Sequence, residues 1–172
     1  MKKFALVVFV ACLVSCKKDS TPYASEFEKS KQNWTSYKES VQNSYSYISY
    51  SGSVFGGYTE TKIVVRNGSV KERSYLLGSY TYNQGQAPVL QILKSWTEDS
   101  AVLNTHQEGA LPATLDEIYT QASTKWLNVE KNKNDIYFSV DSTGLIKSCG
   151  YVPKGCQDDC FVGINIKSIQ PI

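Results

Sequence analysis

The chain has 172 residues with 18 Lys+Arg, 16 Asp+Glu and a single histidine, a formal charge of +2. That near-balance leaves no cationic surplus to neutralise phosphates, which argues against nucleic acid as a partner. Twelve tyrosines and 3 tryptophans against 5 prolines argue equally against a disordered chain.

Lys2 and Lys3 open the chain, and Phe4 to Val14 follows as an apolar run. A membrane-spanning helix needs about 20 apolar residues, so this run is too short to cross a bilayer and reads as the core of a secretory signal. Leu13-Val14-Ser15-Cys16 then resembles the lipobox of bacterial lipoproteins. The resemblance implies that Cys16 becomes the first mature residue, with a diacylglyceryl group on its sulfur and an acyl chain such as palmitate on its amine. One acyl chain binds a bilayer only marginally, and each buried methylene adds roughly 0.8 kcal/mol, so two or three chains anchor stably. Lys17-Lys18-Asp19 resembles the charged residues after the acylated cysteine in surface-exported lipoproteins of the Bacteroidota. The expected organisation is a signal peptide over 1–15, the acylated cysteine and a polar tether over 16–25, and one domain over 26–172. Loss of Lys2 and Lys3 with the leader leaves 16 residues of each sign, a neutral mature chain.

A helix is expected from near Ser25, because Ser25 and Glu28 have capping-box spacing. Phe27, Trp34 and Val41 recur at seven, with Ser30 and Tyr37 between them, which sets one stripe on one face. Tyr45 to Tyr50 alternates as a strand, with Tyr45 and Tyr47 on one face and Tyr50 on the other. Thr59 to Arg66 and Val70 to Tyr82 are strand-like and flank Asn67-Gly68, the pair favoured in a type I′ hairpin turn. Val89 to Trp96 predicts a further strand, and 97–112 a long loop. Thr114 and Glu117 repeat the capping-box spacing. Leu115, Ile118, Tyr119, Ala122, Trp126 and Val129 then keep helical period for about four turns. Asp135 to Val140, Leu145 to Val152 and Phe161 to Ile169 predict three more strands, the first two joined by a turn at Asp141-Ser142-Thr143-Gly144. The expected fold class is α+β, an antiparallel sheet meander with two amphipathic helices on one face.

Seven phrases in this order resemble a family of small secreted or lipid-anchored bacterial domains of unknown function. They are Asn33-Trp34, Tyr45-Ser46-Tyr47, Val65-Arg66-Asn67-Gly68, Trp96-Thr97-Glu98, His106-Gln107-Glu108-Gly109, Thr114-Leu115-Asp116-Glu117-Ile118-Tyr119 and Val140-Asp141-Ser142-Thr143-Gly144. The resemblance runs from about Phe27 to Ile169 and implies a small α+β domain on a tether. It brings no activity and does not include the cysteines near the C-terminus.

Those cysteines, Cys149, Cys156 and Cys160, allow one disulfide with one thiol left over, and an exported chain meets an oxidising compartment. Which pair forms is open from sequence. A zinc site would need paired thiolates and a fourth ligand, which this spacing does not supply, so no metal or other cofactor is expected. Asp158-Asp159 alone falls far short of a calcium shell. His106 with Glu108 is the one candidate proton-transfer pair, but no nucleophile motif accompanies it. Asp141-Ser142-Thr143-Gly144 is off by one residue from the Asp-Thr-Gly of aspartic proteases and is better explained as a turn. Tyr45, Tyr47, Trp96 and His106 are candidates for a binding surface, because aromatic rings add contact area at low entropic cost. The expectation is therefore a membrane-anchored envelope lipoprotein, at the outer membrane on its periplasmic or surface face. Its domain is non-catalytic, structural or binding an envelope protein or glycan, with no catalytic residues assigned. The rival expectation is an envelope hydrolase or thiol/redox protein using the His106 loop and the Cys149–Cys160 loop.

Overall fold

The structure is a computed structural model that describes residues 23–53, 57–82 and 84–172. The leader and Cys16 lie outside the described residues. Helix α1 spans Ala24–Ser40. Strands β1 (Tyr45–Gly52), β2 (Gly57–Arg66), β3 (Ser69–Thr81) and β4 (Val89–Asp99) follow. Helix α2 (Leu115–Gln121) continues as a π-helical turn (Ala122–Trp126), and β5 (Asn134–Val140), β6 (Ile146–Pro153) and β7 (Val162–Pro171) complete the chain. The seven strands form one sheet in the order β4-β3-β2-β1-β7-β6-β5. Every neighbouring pair is antiparallel. The α+β expectation holds. The sheet is two meanders joined at its centre, where the first strand lies beside the last. No described helix is long and apolar enough to cross a membrane.

The hairpin signals act where the sequence places them. Asn67 and Gly68 both take positive φ (50° and 74°), as a type I′ turn requires, with Arg66 paired to Ser69. Gly144 (φ 79°) closes the second turn, where Asp141 Oδ1 accepts from the Thr143 and Leu145 N–H groups. The Thr114–Glu117 capping box forms in both directions. The Ser25–Glu28 box does not: α1 starts at Ala24 behind Tyr23, so Ser25 is already inside the first turn and cannot cap it. The second helix is also shorter than expected, ending at Trp126. There the Thr120, Ser123 and Thr124 hydroxyls bond back to carbonyls of the preceding turn, and such competition loosens the helical ladder.

Both helices cover the face of the sheet that carries Tyr45 and Tyr47. Trp34 of α1 lies edge-on to Tyr45, with ring centroids 5.0 Å apart, and stacks on Tyr119 of α2 at 6.2 Å. Its indole N–H donates to Asp116 (3.0 Å). Tyr45 Oη accepts from the Leu115 N–H, and the Tyr47 hydroxyl donates to the Ala113 carbonyl, so α2 is tied to the sheet it covers. Burial pushes both tyrosine hydroxyls far above the ordinary phenol range and keeps them neutral. Ser30, the polar member of the α1 stripe, is buried against the Tyr119 hydroxyl at 2.7 Å. Phe27, Ile63, Val65, Leu115, Ile118, Ile146, Ile164 and Ile166 fill the rest of the core. Each such side chain gains roughly 1.5–3 kcal/mol on full burial.

Candidate functional site

Strand register places two residues at the β3–β4 end of this same face that no apolar pattern announces. Arg73 stands opposite Glu98 and Tyr75 opposite Trp96. The Arg73 and Glu98 side chains are 1% and 0% exposed and form an ion pair at 3.1 Å. No described helix reaches this end of the sheet; the 100–112 loop covers it instead. The pair holds the loop by its backbone. Arg73 donates to the carbonyls of Ala110 (2.8 Å), His106 (3.3 Å) and Glu108. Glu98 accepts from the N–H groups of Asn104 (2.8 Å) and His106 (2.7 Å) and from the Thr105 hydroxyl (3.1 Å). Burial pushes the Glu98 carboxyl up, but these donors outweigh it and hold the group well below the usual carboxylate range.

His106 and Trp96 are brought together: the rings stack at 4.3 Å with planes 9° apart. Tyr75 stacks on Trp96 at 5.2 Å, and the Arg73 guanidinium lies 4.8 Å from the indole centroid. The carboxylate beside His106 is Glu98, whose Oε1 is 2.9 Å from Nδ1. Glu108, the partner expected from sequence, pairs with Lys94 instead. A carboxylate on Nδ1 fixes the ring, the arrangement a general base would use, and the His106 side chain is 41% exposed. Among the described residues no hydroxyl or thiol hydrogen-bonds the other ring nitrogen, and the ring stacks on Trp96 within the loop cover.

Tyr45 and Tyr47, candidates for a binding surface, are 0% and 1% exposed and belong to the core; alternation chose their face correctly, but α1 and α2 cover it. An open aromatic row occurs on the opposite face. Tyr50, Tyr58, Tyr80 and Tyr82 follow one another at centroid distances of 6.4, 5.5 and 6.5 Å. There Lys167 pairs with Glu60, and Glu60 accepts from the Tyr58 hydroxyl, whose pKa burial and the carboxylate push up to about 12.

The C-terminal cysteines divide. Cys156 and Cys160 are bridged, and Cys149 is a free, buried thiol on β6 whose pKa burial pushes up to about 12. Such a thiol is an inert core residue. Among the described residues no group of three or more His, Cys, Asp or Glu side chains is placed to hold a metal.

The bridged loop walls a cleft of about 600 Å³. The floor is the end of β1 (Ser49–Gly52), Thr59 and Thr61 of β2, and Gly163–Asn165 of β7. One wall is Gly109-Ala110 from the long loop, and the other is 156–161. The long loop approaches closely because residue 109 is glycine at φ 82°: a Cβ there would lie 2.7 Å from Thr61 Oγ1 and 2.9 Å from the Tyr75 ring. The Ala110 N–H then donates to Thr61 Oγ1 at 2.9 Å. Across the cleft, Asp159 Oδ2 accepts from the Ser53 hydroxyl at 2.9 Å and ties the bridged loop to the end of β1. Register makes the floor a block of hydroxyls, since Ser49 pairs with Thr61 and Ser51 with Thr59. Sequence reading missed this site, although the even spacing of Ser49 with Ser51 and of Thr59 with Thr61 puts each pair on one face. Comparison with family models, curated proteins and solved structures gave no match for this chain.

Proposed function

We propose that this chain is an envelope lipoprotein, anchored through Cys16, whose domain is a non-catalytic binding module, and that the cleft between the 109–110 turn and the disulfide loop is its binding site. The observation that carries the binding reading is the composition of the cleft: a volume within the range of ligand sites over a floor of hydroxyls. The histidine that a hydrolase would use is committed to Glu98 and Trp96, and it does not line the cleft. The rival thiol/redox reading rests on Cys156 and Cys160 lining the wall. Among the described residues no Lys, Arg or His lines that cleft to stabilise a thiolate there. The anchor and the envelope location rest on the lipobox resemblance at Leu13–Cys16.

Two measurements test the reading. Cys16→Ala should lose metabolic palmitate label and leave the membrane fraction; retention of both would end the anchor. Thr59→Trp, which fills the cleft, should abolish retention of the detergent-purified chain on isolated envelope material while its melting curve stays cooperative. Equal retention by wild type and a folded Thr59→Trp would end the binding site.

A further inference from the structure

We infer that the cleft takes an amine-bearing saccharide and rejects an anionic one, an inference that rests on the binding reading above and names its ligand class. Among the described residues the charged side chains lining the cleft are Asp158 and Asp159, with no cation beside them. Asp158 makes no side-chain hydrogen bond or ion pair among the described residues, and Asp159 uses one oxygen on Ser53. A ligand carboxylate or phosphate would face two negative charges with no partner, whereas an ammonium group would find a charge-assisted hydrogen-bond partner in either carboxylate.

The floor supplies the second, independent observation. Ser49 is 9% exposed. Its register partner Thr61 is 3% exposed and already accepts from Ala110. The hydroxyls of Ser49, Ser51 and Thr59 make no side-chain hydrogen bond among the described residues, although all three line the cleft. Each hydroxyl is both donor and acceptor, and all three keep that capacity for whatever enters the cleft. Saccharide hydroxyls have the same dual character and match such a block. The pairing of β1 with β7 ends at Ser49–Ile166, so the cleft opens where the two strands part. Asp159 stands at φ 48°, a conformation that Asn shares, so the charge can be removed without disturbing the loop.

The test is calorimetric titration of the detergent-purified full chain, at a mildly acidic pH that keeps amines protonated. Three tetrasaccharides serve as probes: glucosamine, N-acetylglucosamine and galacturonic acid. Glucosamine should bind about tenfold more tightly than its N-acetyl form, the worth of one charge-assisted contact, and galacturonic acid should not bind. Asp158→Asn/Asp159→Asn should erase the glucosamine preference, and Ser49→Ala should weaken both amino-sugar probes. Binding of galacturonic acid as tight as glucosamine, or a preference untouched by the double variant, would overturn the ligand class and leave the cleft standing. No binding by any probe would also overturn the class, while the Thr59→Trp retention assay decides the cleft separately.

Discussion

One face of the sheet is covered in two ways. Over β2, β1, β7 and β6 the cover is helical, and the contact is mainly apolar: Phe27, Trp34, Leu115 and Ile118 on Tyr45, Tyr47, Ile63 and Ile164. Over β3 and β4, and over the cleft at the end of β1, the cover is irregular chain. It is pinned by a buried ion pair and, on the far wall, by a disulfide. The first cover is non-directional and spreads its stabilisation over many contacts. The second concentrates it in a few directional bonds whose partners cannot be spared. A loop has no apolar stripe with which to hold a sheet, so its backbone carbonyls and N–H groups are gripped instead. The site is built on the second kind of cover, because loops leave a concave gap where packed helices do not.

The largest expected effect breaks the loop cover. Arg73→Met leaves Glu98 buried without its cation and should cost roughly 3–5 kcal/mol in urea unfolding. Arg73→Met/Glu98→Leu should regain only part of that: the unpaired charge is gone, but the loop's carbonyls and N–H groups lose their partners. A double variant as stable as the wild type would show that the pair's bonds to the loop backbone contribute nothing.

Reducing Cys156–Cys160 comes next. The loop it closes is short, so chain entropy assigns the bridge only about 2 kcal/mol. Melting with and without reductant measures this, and Cys149 should stay unalkylated until the domain unfolds. The helical cover should yield least to a conservative change: Ile63→Val is expected to cost about 0.5–1.5 kcal/mol. Should it exceed Arg73→Met, the contrast between the two covers is wrong.

Acid sharpens the comparison without mutation. The folded-state pKa of Glu98 lies below its ordinary 4.5, so its contribution is fully present above that pH and is lost as pH falls through the folded value. Glu108, lowered by its hydrogen bond from Lys94, acts in the same direction. Amide exchange in 100–112 should therefore quicken below about pH 4.5, before exchange in α1 and α2 does. Glu98→Gln should show the fast loop already at neutral pH.

Much of the frame was legible because its signals are local. Asn67-Gly68, Gly144 and the Thr114–Glu117 box depend on residues within a few positions of one another, and each acts as written. The Ser25 box failed because the same spacing is harmless inside a helix that starts one residue sooner. The Arg73–Glu98 pair was not legible, since the two residues meet only through the β3–β4 register. A partial signal existed: Trp96 and Glu98 share a face by period two, as do Arg73 and Tyr75, which places opposite charges beside aromatics on inward positions. The long loop was read as unpatterned for the same reason. Its ties run from its backbone to those two side chains, and backbone groups leave no trace in composition. The cleft needs three separate segments to meet, and only its hydroxyl spacing was visible beforehand.

The most direct test is hydrogen exchange of the detergent-purified full chain with and without isolated envelope polysaccharide. Added protection should be confined to 109–110 and 156–161, with Trp96 and His106 unchanged. Protection centred on His106, or none at either wall, would contradict a binding module built on this cleft.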